Sequence, residues 1–193
     1  SLSDNAIYSL CKDREGGIWI GSYFGGINYY PRFYTNFEKY YPKGAANGLQ
    51  GKRVREFCQD NQGILWIGTE DGGLNRFNPK TKTFSFFTPS NAFTNVHGLC
   101  MVGDNLWVGT FSKGVKVVDT RTGTIVKTYL KTESPHSLVD NSVFSICRTT
   151  TGDIYLGTLF GLLRYNKQLD GFDRIPELNG KFVYDIKEDS GGN

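Results

Sequence analysis

Short apolar runs separated by polar turns recur along the chain, and one phrase appears four times. It reads Ile18-Trp19-Ile20-Gly21-Ser22, Leu65-Trp66-Ile67-Gly68-Thr69, Leu106-Trp107-Val108-Gly109-Thr110 and Ile154-Tyr155-Leu156-Gly157-Thr158, with glycines spaced 47, 41 and 48 residues apart. Upstream of each lies a second run: Ile7-Tyr8-Ser9-Leu10-Cys11, Val54-Arg55-Glu56-Phe57-Cys58, Val96-His97-Gly98-Leu99-Cys100 and Val143-Phe144-Ser145-Ile146-Cys147. A third run follows each phrase, from Gly26, Gly73, Gly114 and Gly161, and a fourth short β-rich run closes each unit, such as Phe84-Ser85-Phe86-Phe87. Four short strands in each repeat of about 45 residues, joined by Gly, Asn and Asp turns, predict the blades of a β-propeller.

The second strand of each unit is apolar on both faces. Leu65 and Ile67 share one face and Trp66 the other, as expected of a strand sandwiched between neighbouring blades and not of one with a wet side. Gly68 lies on the face of Trp66 and leaves room for the adjacent blade. The tryptophans therefore read as packing residues. The blades are expected at about 2–46, 47–93, 94–138 and 139–180, with 181–193 opening a fifth. The run Phe182-Val183-Tyr184-Asp185-Ile186 would be its first strand. Because Ile7 already supplies a first strand to the first blade, that terminal strand cannot complete it. The expectation is an all-β piece of a longer propeller that self-associates through exposed blade edges.

Composition narrows the function. Lys and Arg number 22 against 19 Asp and Glu, a net charge of +3, too balanced for electrostatic nucleic-acid binding. Aromatics make up 15% of the chain, enough for a core. No apolar run approaches the roughly 18 residues of a membrane span, and no basic stretch leads into an apolar one as in an export signal. Cys11, Cys58, Cys100 and Cys147 recur at one position per blade, without a Cys-x-x-Cys pair, and read as free, buried thiols. Neither His97 nor His136 belongs to a catalytic arrangement, and Asp13, Glu15, Asp60 and Asp189 fall in first hairpin turns, where Asp serves turn geometry. The 60–63 turn lacks most ligands of a calcium loop. No catalytic residue, metal ligand or cofactor is implied.

A propeller gathers equivalent loops of every blade on one face. The loops after the second strands offer Tyr23 and Phe24, Glu70 and Asp71, Phe111 and Lys113, and Phe160; the inter-blade loops span 43–52, 88–95 and 132–141. Tyr23, Phe24, Phe111 and Phe160 could stack on sugar or base rings, while Arg53, Glu70, Asp71 and Lys113 could supply directional hydrogen bonds. Equally, all eight could simply pack on neighbouring blades.

The strand phrases together, clearest over 54–79, resemble the two-component regulator propeller repeat; the third blade departs at Val102-Gly103-Asp104-Asn105 and the fourth replaces Trp by Tyr155. The resemblance implies the extracytoplasmic, periplasmic sensor region of a membrane-anchored hybrid two-component histidine kinase that detects oligosaccharides or another small ligand. It implies binding and no chemistry in this chain. A propeller scaffold for protein–protein interaction, or an enzyme resembling polysaccharide lyases, are the competing readings.

Overall fold

The computed structural model describes residues 2–32, 38, 40–42, 47–87 and 92–192. The chain divides into two compact units, Ser1–Lys39 and Tyr40–Asn193.

The first unit is one antiparallel sheet in the order β1 (Ile7–Lys12), β2 (Ile18–Ser22), β3 (Ile27–Tyr30). The fourth run expected for this blade falls where residues 33–37, 39 and 43–46 lie outside the described residues. Trp19 was expected to be covered, yet it is 44% exposed and packs on Tyr29 at 4.4 Å. Among the described residues of the unit there is no second layer to cover it.

The second unit holds three four-stranded antiparallel sheets. They run β4 (Val54–Gln59), β5 (Leu65–Thr69), β6 (Gly73–Asn78), β7 (Thr83–Phe86); β8 (Val96–Val102), β9 (Asn105–Thr110), β10 (Val115–Asp119), β11 (Thr124–Tyr129); and β12 (Val143–Arg148), β13 (Ile154–Thr158), β14 (Gly161–Asn166), β15 (Gly171–Arg174). Each pairs its strands in chain order. Here the tryptophans pack as expected. Trp66 is buried with Val96, Leu99 and Leu106 of the next sheet, and Trp107 with Val143, Ile146 and Leu156 of the one after. A buried Trp removes some 150–250 Å² from water, roughly 4–6 kcal/mol at 25 cal/mol per Å², so these rings are a principal tie between adjacent blades.

In this unit the glycine of each phrase permits that approach. A Cβ at Gly68 would lie 2.6 Å from Val96 Cγ1, and one at Gly109 would lie 2.9 Å from Val143 Cγ1. At Gly157 the neighbour is Val183, whose Cγ1 would be 3.0 Å away. Val183 thus takes the place over the fourth blade that Val96 and Val143 take over the second and third. The run 182–186 nevertheless forms no strand, contrary to expectation. Val183 N–H donates to Thr158 O at 3.0 Å, but no following strand among the described residues pairs with this run as β5, β9 and β13 pair with β4, β8 and β12.

All four cysteines are free, but they are less buried than expected: Cys11 is exposed and the others half-buried. Each first strand is paired on one side only, which leaves its thiol at the rim of the packed layer. Burial still pushes the Cys58 thiol up and that of Cys100 to about 11. Among the described residues no helix is long and apolar enough to cross a membrane.

Candidate ligand-binding face

The hydroxyl that ends each second strand clamps the loop after it. Thr69, Thr110 and Thr158 are fully buried and donate to the carbonyls of Gly73 (3.0 Å), Gly114 (2.9 Å) and Gly161 (2.8 Å). The same oxygens accept from the backbone N–H of Gly72, Lys113 and Phe160. Ser22 donates likewise to Gly26 O in the first unit. The loops that carry the candidate residues are therefore held from beneath.

In the first unit Tyr23 stacks on Tyr8 at 5.0 Å and meets Phe24 edge-on at 4.3 Å, while Phe24 stays 86% exposed. Asp4 accepts from Phe24 N–H at 3.0 Å and Ala6 N–H at 3.2 Å, which hold its carboxyl below the usual range. In the second unit Glu70 bridges Arg53, at 3.3 Å, and Arg55. Asp71 Oδ1 accepts from the N–H groups of Lys52 and Arg53 at 2.9 and 3.2 Å, and these backbone bonds, Arg53 foremost, hold it below the usual range. Asp71 is thus engaged in anchoring its own loop. Gln50, Glu70, Asp71 and Thr94 line a pocket of about 290 Å³. Phe111 joins a ring cluster, Lys113 is placed by its backbone bond to Thr110, and Phe160 stands half-exposed on its loop.

Residues that the sequence reading passed over complete the cluster. Each first strand bulges at its second position: Val54 pairs with Thr69 and Glu56 with Gly68, leaving Arg55 without an opposite residue. Tyr8, His97 and Phe144 stand at the same place in β1, β8 and β12. A bulge re-aims its extra side chain. His97 meets Phe144 at 5.0 Å and Phe111 at 6.3 Å, and Phe144 meets Phe182 at 4.7 Å and Tyr184 at 6.0 Å. Arg55 Nη1 donates to Tyr184 O–H at 2.9 Å. Burial, and secondly the Arg55 charge, push the His97 imidazole below its usual pKa, and its Nε2 lies 2.9 Å from Asn95 Oδ1. The signal was present in the sequence: Tyr8, Arg55, His97 and Phe144 vary at a position flanked by a constant Val or Ile and a constant Cys.

Aromatic rings, a guanidinium and a carboxylate thus converge beside clamped loops. Such a surface takes ring faces and hydroxyls. His97 lies against Asn95, and His136 lies 3.2 Å from Asp173.

A family model described as two component regulator propeller matches residues 1–24 and 48–71. These two segments are similar to two-component regulator propeller repeats. Each matched repeat ends in the loop after a second strand, at Phe24 and at Asp71. Among solved structures, the extracellular domain of BT3049 from B. thetaiotaomicron, assigned as a hybrid two component system, is 25% identical over 99% of this chain and 26% of that one, with a TM-score of 0.65. The extracellular domain of BT4673 from the same organism, assigned as a one component system, is 25% identical over 96% of this chain and 24% of that one, also with a TM-score of 0.65. This chain spans about a quarter of the length of either structure. The WD40 β propeller domain of Doa1 aligns over 96% of this chain and 58% of that one at 15% identity and a TM-score of 0.58, which shows the β-propeller fold alone. No curated protein sequence matches significantly. Both B. thetaiotaomicron structures are extracellular domains, in line with the extracytoplasmic placement that the repeat implies.

Proposed function

We propose that this chain is a ligand-sensing part of the extracytoplasmic region of a two-component sensor, and that its ligand is an oligosaccharide. The observation that carries this reading is the convergence of Arg55, His97, Phe111, Phe144 and Tyr184 beside the clamped loops of Glu70 and Phe111. Family and neighbours support the sensor part. The sugar rests on the chemistry of the face, in which rings pack on the apolar side of a pyranose while Arg55 and Glu70 meet its hydroxyls. Sensing then works by differential binding: the ligand favours one arrangement of the sensor, and membrane-spanning helices of the whole protein pass that preference to its kinase. Self-association through exposed blade edges belongs to the same proposal.

Calorimetric titration of the chain with defined oligosaccharides tests it. Saturable binding to at least one sugar, weakened about tenfold by Phe144→Ala or Tyr184→Ala, is the expected result. Binding of a folded polypeptide with no dependence on sugar would replace this reading by the scaffold one, and turnover of a glycan would replace it by the enzymatic one.

A further inference from the structure

At the other end of the strands, the first hairpins of the blades differ. In the second blade Asp60 opens a turn closed by Gly63 N–H to Asp60 O at 3.0 Å. Its carboxylate accepts from the N–H groups of Gln62 (2.9 Å) and Ile64 (3.0 Å), and Oδ2 accepts the Trp66 indole N–H at 2.9 Å. In the first blade Asp13 Oδ2 takes the Trp19 indole in the same way, at 3.1 Å. The third hairpin is one residue shorter, with Val102 paired to Asn105 across Gly103 and Asp104. No carboxylate stands where Asp60 does. Trp107 is only 5% exposed, and its Nε1 has no acceptor among the described residues.

Trp107 lines a pocket of about 630 Å³ between the third and fourth blades. Apolar walls come from Val102, Val117, Val126, Ile154, Tyr129 and Tyr165. Val126 is there because β11 bulges: Val117 pairs with Lys127 and Val118 with Ile125, while β7 and β15 pair without interruption. The carboxylates that line the pocket are already engaged. Asp170 accepts from the hydroxyls of Tyr129 (2.7 Å) and Tyr165 (2.9 Å) and pairs with Lys127, and Asp153 pairs with Arg164 at 2.8 Å. Arg148 and Lys167, also lining it, have no carboxylate partner among the described residues.

We propose that this pocket binds a small ring-bearing carboxylate with an apolar body. Two unneutralised cations at the rim call for an anion. The Trp107 indole N–H, without an acceptor among the described residues, offers a donor, and valine and tyrosine walls in a space within the usual range for ligand sites call for an apolar ring. The proposal does not rest on the sensing reading, because the pocket lies at the far end of the strands from the clamped loops.

Nitrogen–proton correlation spectra of the full chain, with sodium benzoate as probe, test it. The chain has 3 Trp, and Trp107→Phe assigns the third indole signal. Benzoate should move the Trp107 indole saturably at millimolar concentration and leave those of Trp19 and Trp66, each bonded to its Asp, in place. Arg148→Gln with Lys167→Gln, both on exposed side chains, should weaken binding about tenfold. Replacing residues 102–105 by the sequence of 60–64 restores the missing carboxylate and should abolish the shift. Benzyl alcohol and glucuronate should each bind at least about tenfold more weakly than benzoate. Parallel drift of all three indoles, or a Trp107 signal that stays still, overturns the site. Benzyl alcohol as tight as benzoate overturns the carboxylate, and glucuronate as tight overturns the apolar body.

Discussion

The second and third blades share their strand phrases and differ in one hairpin. Trp66 and Trp107 are both nearly buried, at 2% and 5% exposure, each against the first strand of the following blade. The Trp66 N–H ends on Asp60, whereas the Trp107 N–H has no acceptor among the described residues and its side chain lines a pocket. Burial of the ring is thus a property of the strand, and satisfaction of its N–H is a property of the turn. One deleted residue converts a closed structural indole into an available donor without disturbing the packing between blades.

That contrast can be attacked in order of size. Trp66→Ala and Trp107→Ala should each cost about 3–5 kcal/mol in urea denaturation, because both rings fill the same kind of layer; a cost below about 1 kcal/mol at either would break the equivalence. Asp60→Ala should cost about 1–3 kcal/mol, since it strands the Trp66 indole and two backbone donors, while Asp104→Ala in the third hairpin should leave the urea midpoint nearly unchanged. Gly109→Ala should cost about 1–3 kcal/mol, the new Cβ being forced against Val143, and Gly68→Ala should match it against Val96.

The smallest effect is a pH dependence centred on the third blade. The Cys100 thiol is raised from about 9 to about 11 by burial. Its folded form keeps the proton after the unfolded form has lost it, so its contribution is complete below pH 9 and disappears as pH climbs from 9 through 11. Thermal melts across that window should fall, and Cys100→Ala should flatten the fall. His97 works in the opposite sense: its lowered pKa withdraws stability as pH drops below 6.5, which melts of His97→Asn should remove.

The strands of the second unit were legible in the sequence because each phrase carries its own reasons: two apolar faces, a bulky ring, and a glycine where the next blade approaches. Glu70, Asp71 and Phe111 were legible as loop residues following those strands. Asp71 as the anchor of its own loop was not, since its bonds reach back to Lys52 and Arg53. Arg55, His97 and Phe144 were missed because strict alternation assigns each to one face of a regular strand, and the bulge breaks that alternation. Trp19 shows the converse, a packing phrase in a sheet that has no second layer among the described residues of its own unit.

Residues close along the chain specify the blade, because strand lengths, turn chemistry and inter-blade glycines are local or nearest-neighbour properties. Which side chains meet depends on how the blades pack. Arg55 reaches Tyr184 across 129 positions, Val183 finds Gly157 without forming a strand, and the pocket beside Trp107 opens between two blades whose phrases look alike. Register shifts and the loss of one turn residue alter the direction of a side chain without altering the pattern of apolar and polar positions, and direction is what assembles a site.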